Sequence, residues 1–585
     1  MRMNALAERA FIFLVFVGAL LTAGDGSAAA KTSKPKSAMA PMAAPMNAAA
    51  TNPACAYQPI DVDKYGKQPY ADAPVIHSKD GNLSATLDIG YTDTNKVSIA
   101  GCPLHLRSYN GALIGPTLRA KPGDWLRVTV KNDLPGPGHT EHCNLDGTFD
   151  KNHKMIMGPD VYDVSNLHTH GLHVSPSGNS DNVFIEICPG QSKDFAIHIP
   201  PNHPAGTFWY HAHVHGSTAL QVSSGMEGAL IIEGGLDDVP EIKAAQEKTF
   251  LLQQTSYDES GQIESSSVFG PSSWAASQRY ITVNGGQIAP VFTMHPGEVQ
   301  RWRFIHGGVR ETVELFSTGG PLYEIATDGN TMGRIDIWKS PIELEPGYRS
   351  DVLFKAPPLA GGQTSTRYYI MTGPIAAQNR LSFLTIPNKP EQLTAELNTS
   401  EPPQIIAVID VEGTPQDMAL PTDGELASLA PYKDITPEEL TGQEQHVSFS
   451  IENHIDCSRP GKCQPCPTCN VFQFMVDHYS FPNSPVRTLK LGTASRWTLE
   501  VYKDSAGPEH PFHIHVNPFE MVRVGPDGND ETVWKDTLMV HQTGMALKYR
   551  QVLSRYEDFD GVFVLHCHIL DHEDGGMMQA VEIAH

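Results

Sequence analysis

The stretch PGDWLRVTV at residues 122–130 indicates a repeated fold, because its pattern returns twice in the chain. The second copy is PGEVQRWRF at residues 296–304. A third stretch, KLGTASRWTLEV at residues 490–501, has the same order of a turn, a small residue and a strand that carries Trp. Apolar, β-branched and aromatic runs between turn residues are typical of sandwich strands. Three such units over about 380 residues predict a threefold repeat of one β-domain.

Length and composition agree with that repeat. A chain of 585 residues is too long for one hydrophobic core and suggests about three or four domains. It has 40% hydrophobic and 18% charged residues, and its 50 Gly and 45 Pro indicate the many turns of an all-β protein. We therefore expect domains at residues 54–240, 241–400 and 441–585, with a linker rich in Pro, Glu and Thr at 401–440.

The N-terminal residues 1–30 predict a secretory signal. An apolar run, AFIFLVFVGALLTA at residues 10–23, follows basic residues and precedes small residues that end near Ala30. Its 14 residues are short for a membrane span, which needs about 20. Residues 31–53, rich in Ala, Pro and Met, indicate a flexible leader. We expect an exported protein, periplasmic or extracellular, without stable membrane insertion.

The net charge restricts the partners. The formal charge is −24, and the segment 1–30 contributes two basic and two acidic residues, so its removal leaves this charge unchanged. A strongly acidic protein is a poor ligand for nucleic acid or for an anionic membrane. The charge otherwise indicates an exported protein that avoids aggregation.

Nine cysteines are an odd number. In an oxidising compartment eight could form four disulfides, and Cys567 is the candidate for the remaining thiol. The stretch CSRPGKCQPCPTC resembles a knuckle for zinc or Cu(I), although export favours two local disulfides; its cysteines are Cys457, Cys463, Cys466 and Cys469. The other four would supply further bridges, with pairing that the sequence leaves open: Cys55, Cys102, Cys143 and Cys188.

Four histidine motifs carry the chemistry. In a β-strand, residues i and i+2 face the same side, so each His-x-His pair points two imidazoles in one direction. In HCH, Cys567 faces the side opposite to its two neighbours, and one strand can therefore serve two metal sites. The motifs are NLHTHG (His168, His170), WYHAH (His211, His213), HPFHIH (His510, His513, His515) and HCHILDH (His566, His568, His572).

These residue types point to copper. A thiolate, two histidines and a weak axial Met are the ligands of a blue-copper electron-transfer site. Cys567, His572 and Met577 lie close together in the sequence, and His510 is available from the HPFHIH strand. The eight remaining histidines form four pairs, which are too many imidazoles for one ion and enough for three coppers. A lone HCH could be a buried thiol between two hydrogen-bonded imidazoles, but four motifs together argue against that interpretation.

The four motifs, in this order, resemble those of three-domain multicopper oxidases, the laccase and copper-efflux oxidase family, over roughly residues 70–585. The resemblance implies three cupredoxin-like β-sandwich domains and four copper ions: one type 1, one type 2 and two type 3. It implies His510, Cys567, His572 and Met577 for type 1, and His168 and His513 for type 2. For the type 3 pair it implies His170, His211, His213, His515, His566 and His568.

The chain departs from the family pattern at two positions. The family often has Trp between the first two histidines and Gly after the third histidine of HPFHIH, whereas this chain has Thr169 and Val516. Neither side chain is a ligand, so copper binding is not affected, although the walls of the sites can differ. Two further histidines, His173 and His215, lie close to the motifs but complete no family position.

The resemblance implies an oxidase that couples four one-electron oxidations of substrate to the reduction of dioxygen to two waters. The reductant is either a small organic molecule, as in laccases that act on phenols and aromatic amines, or a metal ion: Cu(I), Fe(II) or Mn(II), in metal homeostasis. No dense Met-rich insert precedes His510 in the last domain, which favours organic substrates. A copper-free scaffold or a copper store is a third possibility, but all twelve ligands are present.

Two carboxylates are candidates for proton delivery. Asp181, in NSDNVF, resembles the acid that follows the first His-x-His pair in this family. Glu573 follows His572 at the position where copper-efflux oxidases carry an acid near the cluster. A general acid must reach the group that takes its proton. The alternative for either residue is a solvated carboxylate or a loop cap.

Overall fold

The structure is a computed structural model. The residues that it describes are 52–56, 66–136, 143–150, 158–269, 278–373, 404–453, 455–458, 461–468, 472–503, 505–542 and 544–585. The predicted signal, residues 31–51 of the predicted leader and Cys469 lie outside them. Strands make up most of the regular structure in the described ranges, and this confirms the all-β fold class.

The first β-sandwich consists of a four-stranded and a five-stranded sheet, whose apolar side chains share one core. The four-stranded sheet contains, in spatial order, Arg107–Tyr109, Asn82–Tyr91, Trp125–Asn132 and Ser192–His198. The five-stranded sheet contains Val75–His77, Thr117–Ala120, Glu227–Ile232, Gly206–His211 and His168–His170. A small two-stranded sheet pairs Ser98–Ile99 with Cys102–Pro103.

The second sandwich has a six-stranded and a five-stranded sheet around its own core. The six strands are Gln278–Val283, Gln246–Tyr257, Val299–His306, Arg349–Lys355, Leu322–Thr327 and Asn330–Trp338. The five strands are Val291–Met294, Gln404–Glu412, Ser365–Thr372, Val313–Ser317 and Ile342–Leu344.

The third sandwich repeats the plan of the second. Its six-stranded sheet contains Gln473–Val476, Gln445–Glu452, Thr493–Val501, Gln551–Tyr556, Phe519–Val524 and Asp530–Lys535. Its five-stranded sheet contains Arg487–Lys490, Met578–Ala584, Gly561–Cys567, Glu509–Ile514 and Thr537–His541. The pair Ile455–Asp456 and Gln464–Pro465 forms a separate hairpin.

The three repeated stretches occupy equivalent places in the three sandwiches. Each forms a strand that pairs in parallel with the strand before it in the sheet and antiparallel with the strand after it. Trp302 and Trp497 are fully buried in their cores, whereas Trp125 stays 37% exposed because it begins its strand on the outer face. The predicted threefold repeat is confirmed.

Part of the predicted linker at 401–440 is a strand. Gln404–Glu412 pairs antiparallel with Ser365–Thr372 and parallel with Val291–Met294, inside the second sandwich. The run IIAVIDV drives this pairing, because Ile406 and Val408 are fully buried. The prediction weighted the surrounding Pro, Glu and Thr and missed this run.

The helices are short. The α-helices span Thr218–Ser223, Pro240–Ala244, Asp423–Leu426 and Leu570–Asp574. The 3-10 helices span Pro53–Cys55, Gly158–Asp163, Gly235–Asp238, Ser266–Phe269, Ala427–Leu429, Pro437–Glu439 and Leu547–Tyr549. Within the described ranges, no helix combines the length and the apolar character needed to cross a membrane.

Three disulfides resolve pairings that the sequence left open. They join Cys55 to Cys102, Cys143 to Cys188 and Cys457 to Cys463. Cys466 is also disulfide-bonded, which agrees with the predicted local bridges in this stretch. Among the cysteines that the structure describes, the buried Cys567 is the free thiol, as predicted.

Candidate metal centre

Strand pairing brings the histidine motifs together two by two. In the first sandwich, the short strand His168–His170 pairs with Gly206–His211, so that His168 lies directly opposite His211. In the third sandwich, His513 lies opposite His566. Directly opposite residues of antiparallel strands point to the same side of the sheet. Each sandwich therefore presents a group of imidazoles on one face.

One group joins three histidines at close range. His213 Nε2 lies 3.1 Å from His566 Nε2, and His515 Nε2 lies 3.3 Å from the same atom. All three side chains are buried, and one ligand atom of each falls within the spacing that a single metal ion spans. The first and third sandwiches contribute one and two of these residues.

A second group surrounds Trp209. The ring of His568 lies 4.9 Å from that of His170 and 6.0 Å from that of His211, measured between centroids. The indole of Trp209 stacks on His211 at 4.3 Å and also contacts His170 at 5.0 Å. The fully buried indole thus holds two of these imidazoles from one side.

Two stacked pairs of rings connect the groups. His168 stacks on His515 at a centroid distance of 3.8 Å, and His170 stacks on His513 at 3.9 Å. The ring centroids of His168 and His513 are 6.2 Å apart. Each stacked pair joins the first sandwich to the third, so the eight imidazoles form one continuous cluster between them.

The free nitrogen atoms of this cluster fit metal ions. In the described part of the chain, Nε2 of His168, His211 and His513 and Nδ1 of His170 are buried without a hydrogen-bond partner. The opposite nitrogens are engaged; Nδ1 of His211, for example, lies 2.9 Å from the carbonyl oxygen of Ala212. A metal-bound imidazole characteristically donates its second N–H in this way. The donor set therefore suits copper, for which imidazole is a preferred ligand.

Burial also sets the protonation of these rings. Burial and the neighbouring imidazoles lower the pKa of His168 and His515 well below the ordinary value. Burial lowers the pKa of His211 to about 3. The rings are neutral at physiological pH, which is the form that binds metal.

The two predicted proton carriers lie beside the cluster. Both carboxylate oxygens of Asp181 are 3.1 Å from His168 Nδ1, and Oδ1 also accepts a hydrogen bond from the Thr169 amide. Oε1 of Glu573 is 3.9 Å from His213 Nδ1. Asp181 is 4% and Glu573 0% exposed, which excludes a solvated carboxylate for either residue.

Burial shifts the titration of both carboxyls. It raises the pKa of Asp181 to about 7, against the hydrogen bonds from Thr169. It raises the pKa of Glu573 well above the ordinary value, and the nearby Asp574 carboxylate adds to the effect. Both groups can therefore hold a proton near neutral pH.

A second, smaller site lies around Cys567. Its Sγ is 3.5 Å from His510 Nδ1 and 3.8 Å from His572 Nδ1, and these two nitrogens are 3.3 Å apart. Met577 is fully buried in the same core, and its carbonyl oxygen accepts a hydrogen bond from the Cys567 amide. The Ile569 amide donates to Sγ at 3.4 Å. Thiolate, two imidazoles and a thioether are a blue-copper donor set.

Burial raises the pKa of the Cys567 thiol well above the ordinary value. A metal ion reverses this preference, because it binds the thiolate and releases the proton. The sulfur therefore depends on a cation for its ionised form. No other described cysteine could take this role, since each of them is in a disulfide.

The short helix Leu570–Asp574 connects this site to all three sandwiches. The Asp571 carboxylate pairs with Arg310 of the second sandwich, and His572 belongs to the Cys567 site. The Asp574 carboxylate accepts hydrogen bonds from three backbone amides of the first sandwich, those of Gly216, Thr218 and Ala219. The candidate ligand His572 thus lies between two residues of the same helix, Asp571 and Asp574, that contact the other two sandwiches.

The two additional histidines stay outside the ligand groups. His173 Nδ1 lies 2.8 Å from the Val516 carbonyl oxygen, and Nε2 lies 3.3 Å from Asp558. His215 is buried against Phe481.

Val516 has a φ of +69°, a conformation that favours Gly and strains a β-branched residue. This chain thus has a β-branched residue in a conformation that favours Gly, at the position where the family often has Gly.

Sequence reasoning missed the charged residues that contact or flank the candidate ligands. Asp536 contacts His170 and His513, and it pairs with Arg349. Arg310 pairs with Asp571 next to His572. Arg349, Asp536 and Arg310 lie in stretches without a histidine motif. Asp571 lies within HCHILDH, at a position that the spacing of the histidines does not mark.

The comparisons with known proteins agree with this geometry. The sequence profile of the multicopper oxidase family matches residues 160–236 and 459–585. A multicopper oxidase of Staphylococcus haemolyticus is 24% identical over 489 residues, which covers 81% of this chain and 83% of that protein. A laccase of Bacillus subtilis is 21% identical over 525 residues, which covers 82% of this chain and 90% of the laccase.

Solved structures share the fold. A multicopper oxidase from Campylobacter jejuni, described as a metallo-oxidase, has a TM-score of 0.63 and 20% identity, and the match covers 90% of this chain and 98% of that one. A multicopper oxidase from Pediococcus acidilactici has a TM-score of 0.62 and also 20% identity, with 88% and 92% coverage. The two profile matches span the regions that contain the four histidine motifs. The chain carries two multicopper oxidase family domains, at residues 160–236 and 459–585, and is an oxidase built from three cupredoxin-like β-sandwich domains.

Proposed function

We propose that this oxidase couples four one-electron oxidations of substrate to the reduction of dioxygen to two waters. The observation that carries the proposal is the position of Cys567 between two histidines of the larger cluster. His566 and His568 belong to the eight-imidazole cluster, whereas the sulfur between them belongs to the smaller site. An electron-accepting site and an oxygen-reducing site are thus joined by consecutive residues of one strand.

We assign four copper ions to these residues. His510, Cys567, His572 and Met577 would hold type 1, and His168 and His513 would hold type 2. The two groups of three described above would hold the type 3 pair: His213, His515 and His566 for one ion, and His170, His211 and His568 for the other. Copper supplies reversible one-electron chemistry at the first site and the reduction of dioxygen at the cluster.

The protein provides the electron path. His510 is buried but follows the exposed residues Pro508 and Glu509, so an electron has a short distance to travel from a bound substrate. From the sulfur of Cys567, the backbone leads directly to His566 and His568. His566 Nδ1 lies 3.0 Å from the carbonyl oxygen of Cys567, which fixes the ring relative to this path.

Two carboxyls would supply protons. Glu573 is the candidate donor on the His213 side, and Asp181 is the candidate on the His168 side. Both are buried, and both have pKa values raised by burial, so each can carry a proton to the cluster without bulk water. Asp181 also orients His168 through its Nδ1.

The proposal also includes a class of substrate. We favour a laccase-like activity on phenols and aromatic amines, because relatives named laccase match most of the chain and because no dense Met-rich insert precedes His510. A metallo-oxidase activity on Cu(I), Fe(II) or Mn(II) is the second candidate. The partly exposed pair of Glu509 and His541, with 3.0 Å between Oε1 and Nδ1, supports it, because a carboxylate beside His510 attracts cations.

We also propose that the protein acts outside the cytoplasm, in a periplasm or extracellularly. The signal-like segment at residues 1–30 supports export, and so do the disulfides, which persist in oxidising compartments.

One experiment tests the function and the substrate together. Copper-loaded protein is given phenols, aromatic amines, Cu(I), Fe(II) or Mn(II), while oxygen uptake and hydrogen peroxide are measured. Uptake of one O2 per four electrons without peroxide supports the reaction. Peroxide as the main product would contradict it, and the fastest substrate class decides between laccase and metallo-oxidase.

A further inference from the structure

Asp536 contacts two of the stacked imidazoles at once. It lies between the strands Asp530–Lys535 and Thr537–His541 and is 3% exposed. Its Oδ1 is 3.2 Å from His170 Nε2, and its carbonyl oxygen is 2.8 Å from His513 Nδ1. One residue of the third sandwich therefore contacts a histidine of the first sandwich and a histidine of its own.

These contacts determine which nitrogen of each ring faces the cluster. His170 donates from Nε2 to the ionised carboxylate, which leaves Nδ1 with its lone pair. His513 donates from Nδ1, which leaves Nε2. Both of these remaining nitrogens are buried without a hydrogen-bond partner in the described ranges. The carboxylate and the carbonyl of Asp536 thus select opposite tautomers for two rings that stack on each other.

Arg349 of the second sandwich fixes Asp536. Its Nη1 donates to Oδ1 at 2.9 Å and its Nη2 donates to Oδ2 at 2.6 Å, which is a bidentate pair. The guanidinium is fully buried, and its Nε and Nη1 also donate to the carbonyl oxygens of Thr207 and Gly347. Burial opposes the charge on Asp536, but Arg349 outweighs it and keeps the pKa of Asp536 below the ordinary value.

The close approach of these groups requires a glycine. A Cβ at Gly171 would lie 2.3 Å from Arg349 Nη2 and 2.6 Å from Asp536 Oδ2. The φ of this residue, +86°, favours Gly as well. Gly171 directly follows His170. The chain therefore leaves room for the ion pair at the position where the ligand strand ends.

Asp536 could itself be a metal ligand, because its carboxylate lies close to both rings. Its oxygens are already engaged, however: Oδ2 accepts from Arg349, and Oδ1 accepts from Arg349 and from Thr537 Oγ1 at 2.8 Å. Coordination would leave a buried guanidinium without its partner, which is costly. The geometry favours action through the two imidazoles.

We propose that Arg349 and Asp536 form a positioning pair by which the copper-free middle sandwich fixes the orientation of His170 and His513 in the cluster. The proposal rests on the ligand assignment given above. Hydrogen bonds from ligand imidazoles to supporting groups typically affect metal affinity or activity about 10- to 100-fold. The pair would have its effect on the type 2 site and on one type 3 ion, and not on the type 1 site.

Arg349→Lys and Asp536→Asn are the first variants to measure. Lys retains the charge but loses the bidentate geometry, and Asn retains the size of the side chain but loses the charge. We expect both to release cluster copper to a chelator about tenfold faster and to change the type 2 electron paramagnetic resonance signal. The blue type 1 absorption, measured on the same samples, should stay within experimental error of the wild type.

A matched control separates this role from general stability. Arg523 of the third sandwich is 17% exposed and donates to Glu324 and Asp336 of the second sandwich, and it contacts none of the ligands assigned above. Arg523→Lys should change neither the chelator rate nor the type 2 signal. In addition, the double variant Arg349→Met with Asp536→Asn should recover part of the copper retention that Arg349→Met loses, because it removes the uncompensated charge.

The outcomes are distinct. Wild-type copper retention and a wild-type type 2 signal in both Arg349→Lys and Asp536→Asn would overturn the proposal. Equal losses of type 1 and type 2 copper would overturn it too, since they would indicate a general structural role. If Arg349→Met yields no soluble protein, Arg349→Lys and Asp536→Asn still test the proposal. A wild-type protein without a type 2 signal would instead contradict the ligand assignment.

Discussion

The Sγ atom of Cys567 lies 3.5 Å from Nδ1 of His510, although the two residues are 57 positions apart in the chain. The strands Glu509–Ile514 and Gly561–Cys567 are neighbours, and this pairing brings the thiol to the imidazole. His513 and His566 are directly opposite each other in the same two strands, on the other face. One strand pair therefore serves both sites, and each face can be tested separately.

The first prediction concerns the colour of the protein. Copper-loaded wild type should be intensely blue, because a Cys thiolate bound to Cu(II) gives the blue-copper spectrum. Cys567→Ser should abolish this absorption and leave the cluster copper largely in place, as measured by metal analysis and by the type 2 resonance signal. A colourless wild type that binds four coppers would contradict the assignment.

The second prediction concerns the axial ligand. Met577 is buried in the core that contains Cys567, whereas Met578 belongs to a separate cluster with Phe481 and Val564. Met577→Leu should raise the type 1 potential while the blue absorption persists, since it removes a weak donor. Redox titration measures the change, with Met578→Leu as the matched control. If Met578→Leu shifts the potential and Met577→Leu does not, the axial assignment is wrong.

The third prediction concerns Asp181. Asp181→Asn retains the size and one acceptor but removes the charge that holds the His168 Nδ1 proton. We expect the type 2 resonance signal to change and turnover to fall about tenfold or more, as for other groups that support metal ligands. The type 1 absorption should not change. An unaltered type 2 signal with normal turnover would show that the contact with His168 is not used.

The local sequence pattern predicted which side chains come together, because the geometry of a strand is local. Alternation along a strand places both histidines of a pair on one side, and the structure brings together the predicted residues of all four motifs. The supporting ion pairs follow a different rule. Arg349 and Asp536 are 187 positions apart, and Arg310 and Asp571 are 261 positions apart. Their contacts depend on how sandwiches pack, which no short motif encodes.

The fourth prediction concerns pH and stability. Burial raises the pKa of Glu345 to about 7, against a hydrogen bond from Thr312. Since the unfolded chain releases this proton near pH 4.3, the folded protein holds more protons between those values, and its free energy of unfolding falls as pH rises. Glu345→Gln removes this loss, which amounts to about 4 kcal/mol at most above pH 7.

Thermal unfolding of metal-free protein at pH 5 and pH 8 checks this prediction. The melting temperature of Glu345→Gln relative to wild type should be higher at pH 8 than at pH 5. The exposed Glu412 provides the control, because Glu412→Gln should give the same difference at both pH values. If the melting temperatures of Glu345→Gln and wild type differ by the same amount at pH 5 and pH 8, the buried carboxyl does not limit stability.

The last prediction separates electron entry from oxygen reduction at Glu573. The residue directly follows His572 of the Cys567 site, yet its Oε1 lies 3.9 Å from His213 Nδ1 of the cluster. Glu573→Gln keeps the size and some hydrogen bonding but removes the titrating group. A general acid contributes about a hundredfold or more, so turnover should fall by about one to three orders of magnitude. Reduction of the type 1 site by substrate should remain nearly as fast as in wild type.

Stopped-flow measurements of the two half-reactions decide the role of Glu573. The protein is reduced by substrate without oxygen, and it is then mixed with oxygen while reoxidation is followed. Slow reoxidation with normal reduction supports proton delivery. Glu345→Gln, a change at another buried glutamate, should leave both half-reactions unchanged. If Glu573→Gln also matches wild type in both, its carboxyl does not deliver protons, and Asp181 becomes the next candidate.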